Sequence, residues 1–145
     1  MKAAVLRQVD IPLDVEEIDV DNPGPREVLI QTRASGVCHS DLHFAEGKYS
    51  IGMPAILGHE AAGSVLKVGD QVTYVHPGDT VITCLSVFCG HCEFCLRGQP
   101  VLCTRTDVVR HRDEPPRLSQ RSTPITQFAQ LGAYAEQMLV HENAL

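Results

Sequence analysis

Four cysteines between residues 89 and 103 stand at spacings that suit a metal ion. The run Cys89-Gly-His-Cys92-Glu-Phe-Cys95 is followed by Cys103, so two, two and seven residues separate successive thiols. Four thiolates suit tetrahedral Zn²⁺, and a complete four-cysteine set leaves no coordination position for water or substrate. We therefore predict a structural zinc lobe over residues 89–103, with Cys89, Cys92, Cys95 and Cys103 as its ligands.

Three other uses of these cysteines remain open. An iron–sulfur run of the bacterial ferredoxin type closes with a gap of three and a proline, whereas here the last gap is seven and Thr104 follows. Disulfides need an oxidising compartment, and the first residues show no apolar export signal. A redox Cys-x-x-Cys pair would use two thiols and leave the others idle. Structural zinc is favoured because it uses all four.

A second group of metal-ligating residue types lies upstream. Cys38 is followed by a carboxylate at Asp41, and about twenty residues later His59 and Glu60 are adjacent. Cysteine, histidine and carboxylate together are typical of zinc sites that keep one coordination position open. Each residue alone has an ordinary alternative, because a buried cysteine is commonly apolar filler and a lone histidine commonly lies in a core. Together, Cys38 and His59 are the main candidates for ligands of a second, open site.

Length and charge limit the kind of protein. The 145 residues suit one domain, and 12 Lys and Arg against 18 Asp and Glu leave a net charge of −6. That charge offers no general attraction to nucleic acid or to an anionic membrane. No stretch approaches the roughly 18 apolar residues of a membrane span, and six cysteines without an export signal suit a reducing compartment. We expect a cytoplasmic protein with no nucleic-acid or membrane partner.

Most of the chain has the pattern of short strands. Segments rich in Val, Ile and Thr, separated by Gly and Pro, predict strands at residues 2–9, 13–20, 28–35, 63–72, 80–84 and 132–140. This pattern is typical of an all-β barrel or sandwich. Residues 104–130 differ, because five arginines alternate with prolines and acidic residues without an apolar period. We predict a long surface loop there, either solvated or forming a lip over a ligand site or a subunit contact.

The upstream motifs resemble those of a known family. The segment Gly58-His-Glu-x-x-Gly63-x5-Gly69-x-x-Val72 resembles the zinc signature of the zinc-containing alcohol dehydrogenases of the medium-chain dehydrogenase/reductase superfamily. Cys38-His-Ser-Asp-Leu-His43 resembles the family's first ligand segment, Gly78-Asp79-x-Val81 its next strand entry, and the four-cysteine run its structural zinc lobe. The resemblance implies a mainly β, GroES-like catalytic domain over residues 1–145, a partly open β-barrel that carries the zinc lobe as an insertion.

The resemblance also implies a catalytic zinc site. Cys38 and His59 would be its ligands, with Glu60 nearby as a supporting or alternate ligand and Asp41 as the carboxylate that orients His59. The implied reaction is the oxidation of a primary or secondary alcohol to an aldehyde or ketone, with hydride transfer to NAD or NADP. The family further implies a homodimer or homotetramer.

Five more residues receive roles from the resemblance. Ser40 would take the alcohol proton, His43 would relay it, and His39 would face the cofactor pyrophosphate. Tyr49 and Leu85 would line the pocket for a small-molecule alcohol or aldehyde. Cys84, by contrast, matches no ligand position and is predicted to be buried filler within a strand.

Two features of the family do not occur in the sequence. It contains no Gly-x-Gly-x-x-Gly motif after a strand, and it has no candidate for the third protein ligand of the catalytic zinc. We therefore expect that these 145 residues lack the nucleotide-binding Rossmann domain and do not transfer hydride by themselves. The alternative is a zinc-stabilised β-barrel that binds a partner without catalysis. A quinone reductase of the same superfamily generally lacks these zinc ligands, so both metal motifs argue against it.

Overall fold

The computed structural model describes residues 1–104, 108–111 and 113–145. Within these ranges the chain is mainly β, with short helices at a few turns. The two α-helices are α1 (His39–Ala45) and α2 (Glu93–Leu96), and 3-10 turns cover Pro100–Leu102, Phe128–Gln130 and Glu142–Ala144. The strands are β1 (Lys2–Leu6), β2 (Asp14–Glu17), β3 (Asp19–Val20), β4 (Glu27–Ser35), β5 (Ala55–Ile56), β6 (Ala61–Val68), β7 (Thr80–Ile82), β8 (Leu118–Gln120), β9 (Thr123–Pro124), β10 (Thr126–Gln127) and β11 (Gln137–His141).

The strands form three small sheets. Their orders are β10-β5-β1-β2, β11-β4-β6-β7 and β3-β8-β9. The long strand β4 is central to the second sheet, where Ile30 pairs with Val65 on β6 and with Met138 on β11. All three side chains are buried. Residues that stand directly opposite each other on neighbouring strands lie on the same face of the sheet, and this face is turned to the core. The connection between strands β4 and β6 of this sheet carries Cys38 and His59.

The largest core cluster joins that sheet to the cysteine run. Val28, Ile30 and Val140 pack in it together with Cys89 and Cys103. A smaller cluster under β1 contains Val5, Ile18 and Ile56, with Leu118 and Ile125 from later in the chain. Apolar burial of this kind is the main stabilising term in a domain of this size. The cysteine run is thus part of the core rather than a separate appendage.

The prediction of a long surface loop over residues 104–130 is wrong for much of that segment. It contains the strands β8, β9 and β10, and Val108, Leu118 and Ile125 are buried. No apolar period marks these strands because each is only two or three residues long. Arg105 and Arg112 lie outside the described residues.

Two arginines of this segment are structural rather than solvated. Arg117 is buried and its Nε donates a hydrogen bond to Glu27 Oε1 at 2.6 Å, while Arg110 donates to Glu27 Oε2 at 2.6 Å. Burial raises the pKa of Glu27, but the hydrogen bonds and charges of Arg110 and Arg117 outweigh it, so this pKa lies below its ordinary value. Buried charges persist only when they are paired, and here the pairing ties β4 to the segment that leads into β8.

Three further differences from the predicted elements are local. The helix α1 and the strand β5 occupy segments for which the sequence predicts no element. Cys84 is exposed and lies beyond the end of β7 at Ile82, so the prediction of a buried strand residue is wrong there.

None of the helices in the described ranges is long and apolar enough to cross a membrane.

Candidate functional site

The four thiols of residues 89–103 converge. Their sulfur atoms all lie within 4.8 Å of one another, with 3.5 Å between Cys92 and Cys95 and 3.9 Å between Cys89 and Cys95. Zinc–sulfur bonds of about 2.3 Å in a tetrahedron place the sulfur atoms about 3.8 Å apart. A disulfide requires about 2.05 Å, which is much shorter than these sulfur–sulfur distances. The arrangement therefore fits a tetrahedral metal ion and not a disulfide.

Backbone geometry brings these thiols together. Cys92 precedes the short helix α2, and Gly90 takes a φ of +87°, which lets the chain turn between the first two cysteines. The backbone N–H of Cys89 donates to Cys103 Sγ at 3.2 Å, and that of Cys92 donates to Cys89 Sγ at 3.3 Å. Amide donors aimed at sulfur favour the thiolate form that a metal requires.

The charges of the lobe also favour a bound cation. The backbone groups of Cys95 and Thr104 lower the pKa of Cys92 to about 6. Burial raises the pKa of Cys95 to about 11, and its three neighbouring thiols contribute to the shift. Several thiolates this close repel one another unless a cation lies between them. Metal binding at this cluster therefore displaces protons.

A second set of donors meets where β4 ends and β6 begins. A sulfur of Cys38, an imidazole nitrogen of His59 and a carboxylate oxygen of Glu60 all lie within 4.8 Å of one another. His59 is buried, whereas Glu60 is exposed. Gly36 lies beside this set, and a Cβ on it would lie 2.3 Å from Glu60 Oε2, so a larger residue there would displace the Glu60 carboxylate. The structure thus brings together the two predicted ligands and the predicted supporting carboxylate.

Asp41 lies on the other side of the His59 ring. Its Oδ1 is 3.4 Å from His59 Nδ1, whereas His59 Nε2 is 4.0 Å from Glu60 Oε1. Asp41 is 3% exposed, and it accepts hydrogen bonds from the N–H groups of Cys38 at 3.1 Å and Gly58 at 2.9 Å. The two ring nitrogens therefore face two different carboxylates, one buried and one at the donor set. This is the arrangement of a metal-binding histidine and its orienting partner.

The hydroxyl of Tyr134 is a further hydrogen-bond donor to Asp41, and the sequence does not predict this contact. It donates to Asp41 Oδ2 at 2.9 Å. Burial raises the pKa of Tyr134, and the bond to Asp41 raises it further, so the phenol stays protonated and acts as the donor. Only the tyrosine itself signals this role in the sequence, because its contact with Asp41 spans 93 residues.

Aromatic rings surround the same histidine. Phe128 meets His59 edge-on with 5.2 Å between ring centroids, and Phe44 lies 4.5 Å from Phe128. Phe128 belongs to the segment for which the sequence predicts a surface loop, and it too was missed. These rings make the wall beside the donor set apolar.

The residues predicted to move a proton lie on α1. Ser40 and His43 are partly buried, and His39 is exposed. The rings of His39 and His43 stack with centroids 4.5 Å apart, and Tyr49 meets His43 edge-on at 5.3 Å. Residues three and four apart share one face of a helix, which explains this grouping. Leu85 is 46% exposed on the segment after β7, and its place at a pocket stays a prediction.

Comparison with known proteins identifies the family. Residues 24–145 match the family model of the alcohol dehydrogenase GroES-like domain. The chain therefore belongs to this family, and the mainly β, GroES-like fold expected from the sequence is confirmed.

Individual relatives agree. The chain is 37% identical over 149 residues to geraniol dehydrogenase of Carpoglyphus lactis, in an alignment that covers 98% of this chain and 39% of that protein. The crystal structure of an alcohol dehydrogenase zinc-binding domain protein from Burkholderia ambifaria superposes with a TM-score of 0.86 and 31% identity over 99% of this chain and 40% of that one. Benzyl alcohol dehydrogenase from Acinetobacter calcoaceticus gives 0.85 and 28%, over 99% and 39%. The chain spans about two-fifths of the length of these relatives.

Proposed function

We propose that this chain is the catalytic domain of a zinc-dependent alcohol dehydrogenase, which oxidises a primary or secondary alcohol to an aldehyde or ketone with NAD or NADP as hydride acceptor. The observation that carries the proposal is the convergence of Cys38, His59 and Glu60 within 4.8 Å, with buried Asp41 behind His59. Three donors leave a coordination position for substrate, as catalytic zinc sites require. An inert binding module has no need of this arrangement.

Each residue of the site has a defined task in this proposal. A zinc ion held by Cys38 and His59, with Glu60 in support, would lower the pKa of the substrate hydroxyl, and the nicotinamide would accept the hydride. Ser40 takes the hydroxyl proton, and His43 passes it toward solvent. Both face the same side of α1, which keeps this transfer short. His39, exposed at the start of the helix, faces the cofactor pyrophosphate.

The aromatic wall supports an apolar primary alcohol as substrate. Phe44, Tyr49 and Phe128 form a continuous set of ring contacts beside His59. Two of the relatives are named for geraniol and for benzyl alcohol, both of which carry the hydroxyl next to an unsaturated apolar group. We propose an alcohol of this allylic or benzylic kind, with Tyr49 and Leu85 in the pocket lining. A homodimer or homotetramer is part of the same proposal.

The four-cysteine lobe has a different task. We propose that Cys89, Cys92, Cys95 and Cys103 hold a structural zinc ion, because four sulfur donors leave no position for a substrate. The lobe's cysteines pack into the main core, so the ion would stabilise the same sheet that carries the catalytic residues.

A chimeric enzyme tests the proposed function. The aligned part of geraniol dehydrogenase is replaced by this chain, and NAD(P)-dependent oxidation of allylic and benzylic alcohols is measured. We expect activity in the chimera and its loss on Cys38→Ser or Ser40→Ala. A folded, zinc-loaded chimera without activity would contradict the proposal. The 145 residues alone, which carry no Gly-x-Gly-x-x-Gly motif, are expected to be inactive.

A further inference from the structure

Backbone hydrogen bonds hold Tyr134 in the segment that precedes β11. Its N–H donates to Leu57 O at 3.0 Å, and its own carbonyl accepts from Ala4 N–H at 2.8 Å. The preceding residue, Ala133, donates to Gly58 O at 3.0 Å. These three bonds fix where the phenol begins, directly beside the segment that carries His59.

The absence of a side chain at Gly58 leaves room for that phenol. It takes a φ of +87°, and a Cβ on it would lie 2.6 Å from Tyr134 Cδ1. The same residue donates its N–H to Asp41 Oδ1 at 2.9 Å. The missing side chain therefore lets the ring lie close to the backbone and lets the hydroxyl reach the carboxylate that Gly58 also holds.

The bonds around Asp41 are unequally distributed between its two oxygens. Oδ1 accepts from Gly58 N–H and faces His59 Nδ1 at 3.4 Å, while Oδ2 accepts from Cys38 N–H at 3.1 Å and from Tyr134 at 2.9 Å. His59 Nδ1 is buried and has no hydrogen-bond partner among the described residues, so Asp41 Oδ1, at 3.4 Å, is the acceptor placed to approach it. Without the tyrosine hydroxyl, Oδ2 keeps the bond from Cys38 N–H at 3.1 Å, and the carboxylate is held against the ring by two backbone bonds instead of three hydrogen bonds.

We propose that Tyr134 is a positioning residue of the metal centre: its hydroxyl locks the Asp41 carboxylate against His59 Nδ1, and so directs His59 Nε2 toward Cys38 and Glu60. The inference rests on the proposed function, because it concerns the metal-binding form of His59. Outer hydrogen-bond partners of metal-binding histidines typically change metal affinity about 10- to 100-fold. Tyr134 makes this contribution from the far end of the chain.

The first test needs no metal at the site. Long-range proton–nitrogen NMR on the 145-residue chain, with zinc in the four-cysteine lobe, reports which nitrogen of His59 carries the proton, at about pH 8 where an ordinary imidazole is neutral. The His59 signal is assigned by its loss in His59→Gln. We expect the proton on Nδ1 in the unmodified chain and a mixture of both tautomers in Tyr134→Phe, which keeps the ring against Gly58 but removes the hydroxyl.

The second test measures metal affinity directly. Co²⁺ is titrated into the same chain, and the thiolate absorption that disappears in Cys38→Ser reports the second site. Tyr134→Phe should weaken Co²⁺ binding about 10- to 100-fold. Tyr74→Phe is the matched control, because Tyr74 also donates its hydroxyl, to the carbonyl of Glu142, away from this site. In an Asp41→Asn background, Tyr134→Phe should add little, because coupled residues are not additive.

The outcomes separate this inference from the proposed function. An unchanged His59 tautomer and unchanged Co²⁺ affinity in Tyr134→Phe, even with lower thermal stability, would mean that the tyrosine only supports the fold, and the positioning role would be overturned. A tautomer that depends on Tyr134 supports the role even if the unmodified chain shows no Cys38-dependent Co²⁺ signal. That last result would count against the proposed metal centre alone.

Discussion

The two metal-ligating clusters are built in opposite ways. The four-cysteine lobe takes all its donors from 15 consecutive residues, 89–103, which include the four-residue helix α2 and the 3-10 turn Pro100–Leu102. The second cluster takes Cys38 from the start of α1 and His59 and Glu60 from the entry to β6, and its orienting shell reaches to Tyr134. The four-cysteine site is formed by one short segment of the chain, whereas the second site depends on the pairing of β4 with β6.

The difference extends to what each cluster leaves unfilled. Four sulfur donors would complete a tetrahedron around a metal ion, so in the proposed function the lobe contributes stability and no reactivity. Three donors of mixed type leave one position, and the ring of Phe128 lies beside His59 with Phe44 next to it. One cluster should therefore dominate the stability of the chain and the other its chemistry, and four predictions test that division.

Loss of a lobe ligand should have the largest effect. Cys95→Ser removes one donor from the core-packed lobe, and structural zinc contributes on the order of 10 kcal/mol to folding in small zinc domains. We expect the variant to lose its lobe zinc and its cooperative thermal transition, measured by elemental analysis and circular dichroism. Cys84→Ser is the control, since Cys84 is exposed and outside both clusters, and its stability should stay within about 0.5 kcal/mol. A stable, zinc-free Cys95→Ser chain would break the comparison.

Gly58→Ala should be next in size, because it perturbs the second cluster through the backbone. The new Cβ meets the Tyr134 ring at a strained φ, and we expect a loss of roughly 2–4 kcal/mol. Gly78→Ala is matched to it, since Gly78 has a φ of +98° but nothing within 4 Å of a Cβ, so only strain is added. Urea unfolding of both variants isolates the Tyr134 contact as the difference between them. Equal losses would show that this contact has no energetic weight.

Cys38→Ser should separate the two clusters most cleanly. It removes a donor of the open site without touching the core, so we expect a change of less than about 1 kcal/mol in the free energy of unfolding. The variant should contain as much lobe zinc as the unmodified chain, while it should lose Co²⁺ binding at the second cluster. Elemental analysis of chains purified without chelator measures the first quantity. A fall in lobe zinc would mean that the two clusters are not independent.

The pH dependence of metal binding should show the smallest contrast. Cys95 has a pKa raised to about 11 without a cation, so near neutral pH it holds a proton that a metal must displace. Zinc affinity at the lobe should thus fall as pH falls, and more steeply than at the second cluster, which contributes a single thiol. Proton release on zinc addition, compared between the unmodified chain and Cys38→Ser, measures the two slopes. A steeper slope at the second cluster would contradict this account.

The sequence predicts the local features best. The four thiols can be grouped from their spacing alone, and the strands around Ile30 and Val65 follow from segments rich in Val and Ile that Gly and Pro separate. Cys38 and His59 are grouped by residue type and by resemblance to a family, because nothing local says that the end of β4 meets the start of β6. Their proximity is a property of strand pairing, in which Ser35 stands opposite Ala61.

What the sequence misses is long-range or too short to carry a pattern. The helix α1 has seven residues, and β9 and β10 have two each, so no periodicity develops. Arg117 has the composition of a surface residue and is buried only because Glu27, 90 residues earlier, is there to pair with it. Phe128 and Tyr134 lie near His59 because β10 pairs with β5, and because residues 133 and 134 bond to Gly58 and Leu57. No local sequence pattern predicts these contacts.

The backbone bonds from Ala133 and Tyr134 to Gly58 and Leu57 can form only after residue 134 has been synthesised. All donors of the four-cysteine lobe leave the ribosome about thirty residues before Tyr134 does, so the lobe can capture zinc while the shell of the second cluster is still incomplete. We therefore expect nascent chains arrested after residue 103 but before residue 134 to carry metal at the lobe alone. Metal content of chains arrested on either side of Tyr134 would reveal whether the stabilising ion is in place before the reactive centre exists.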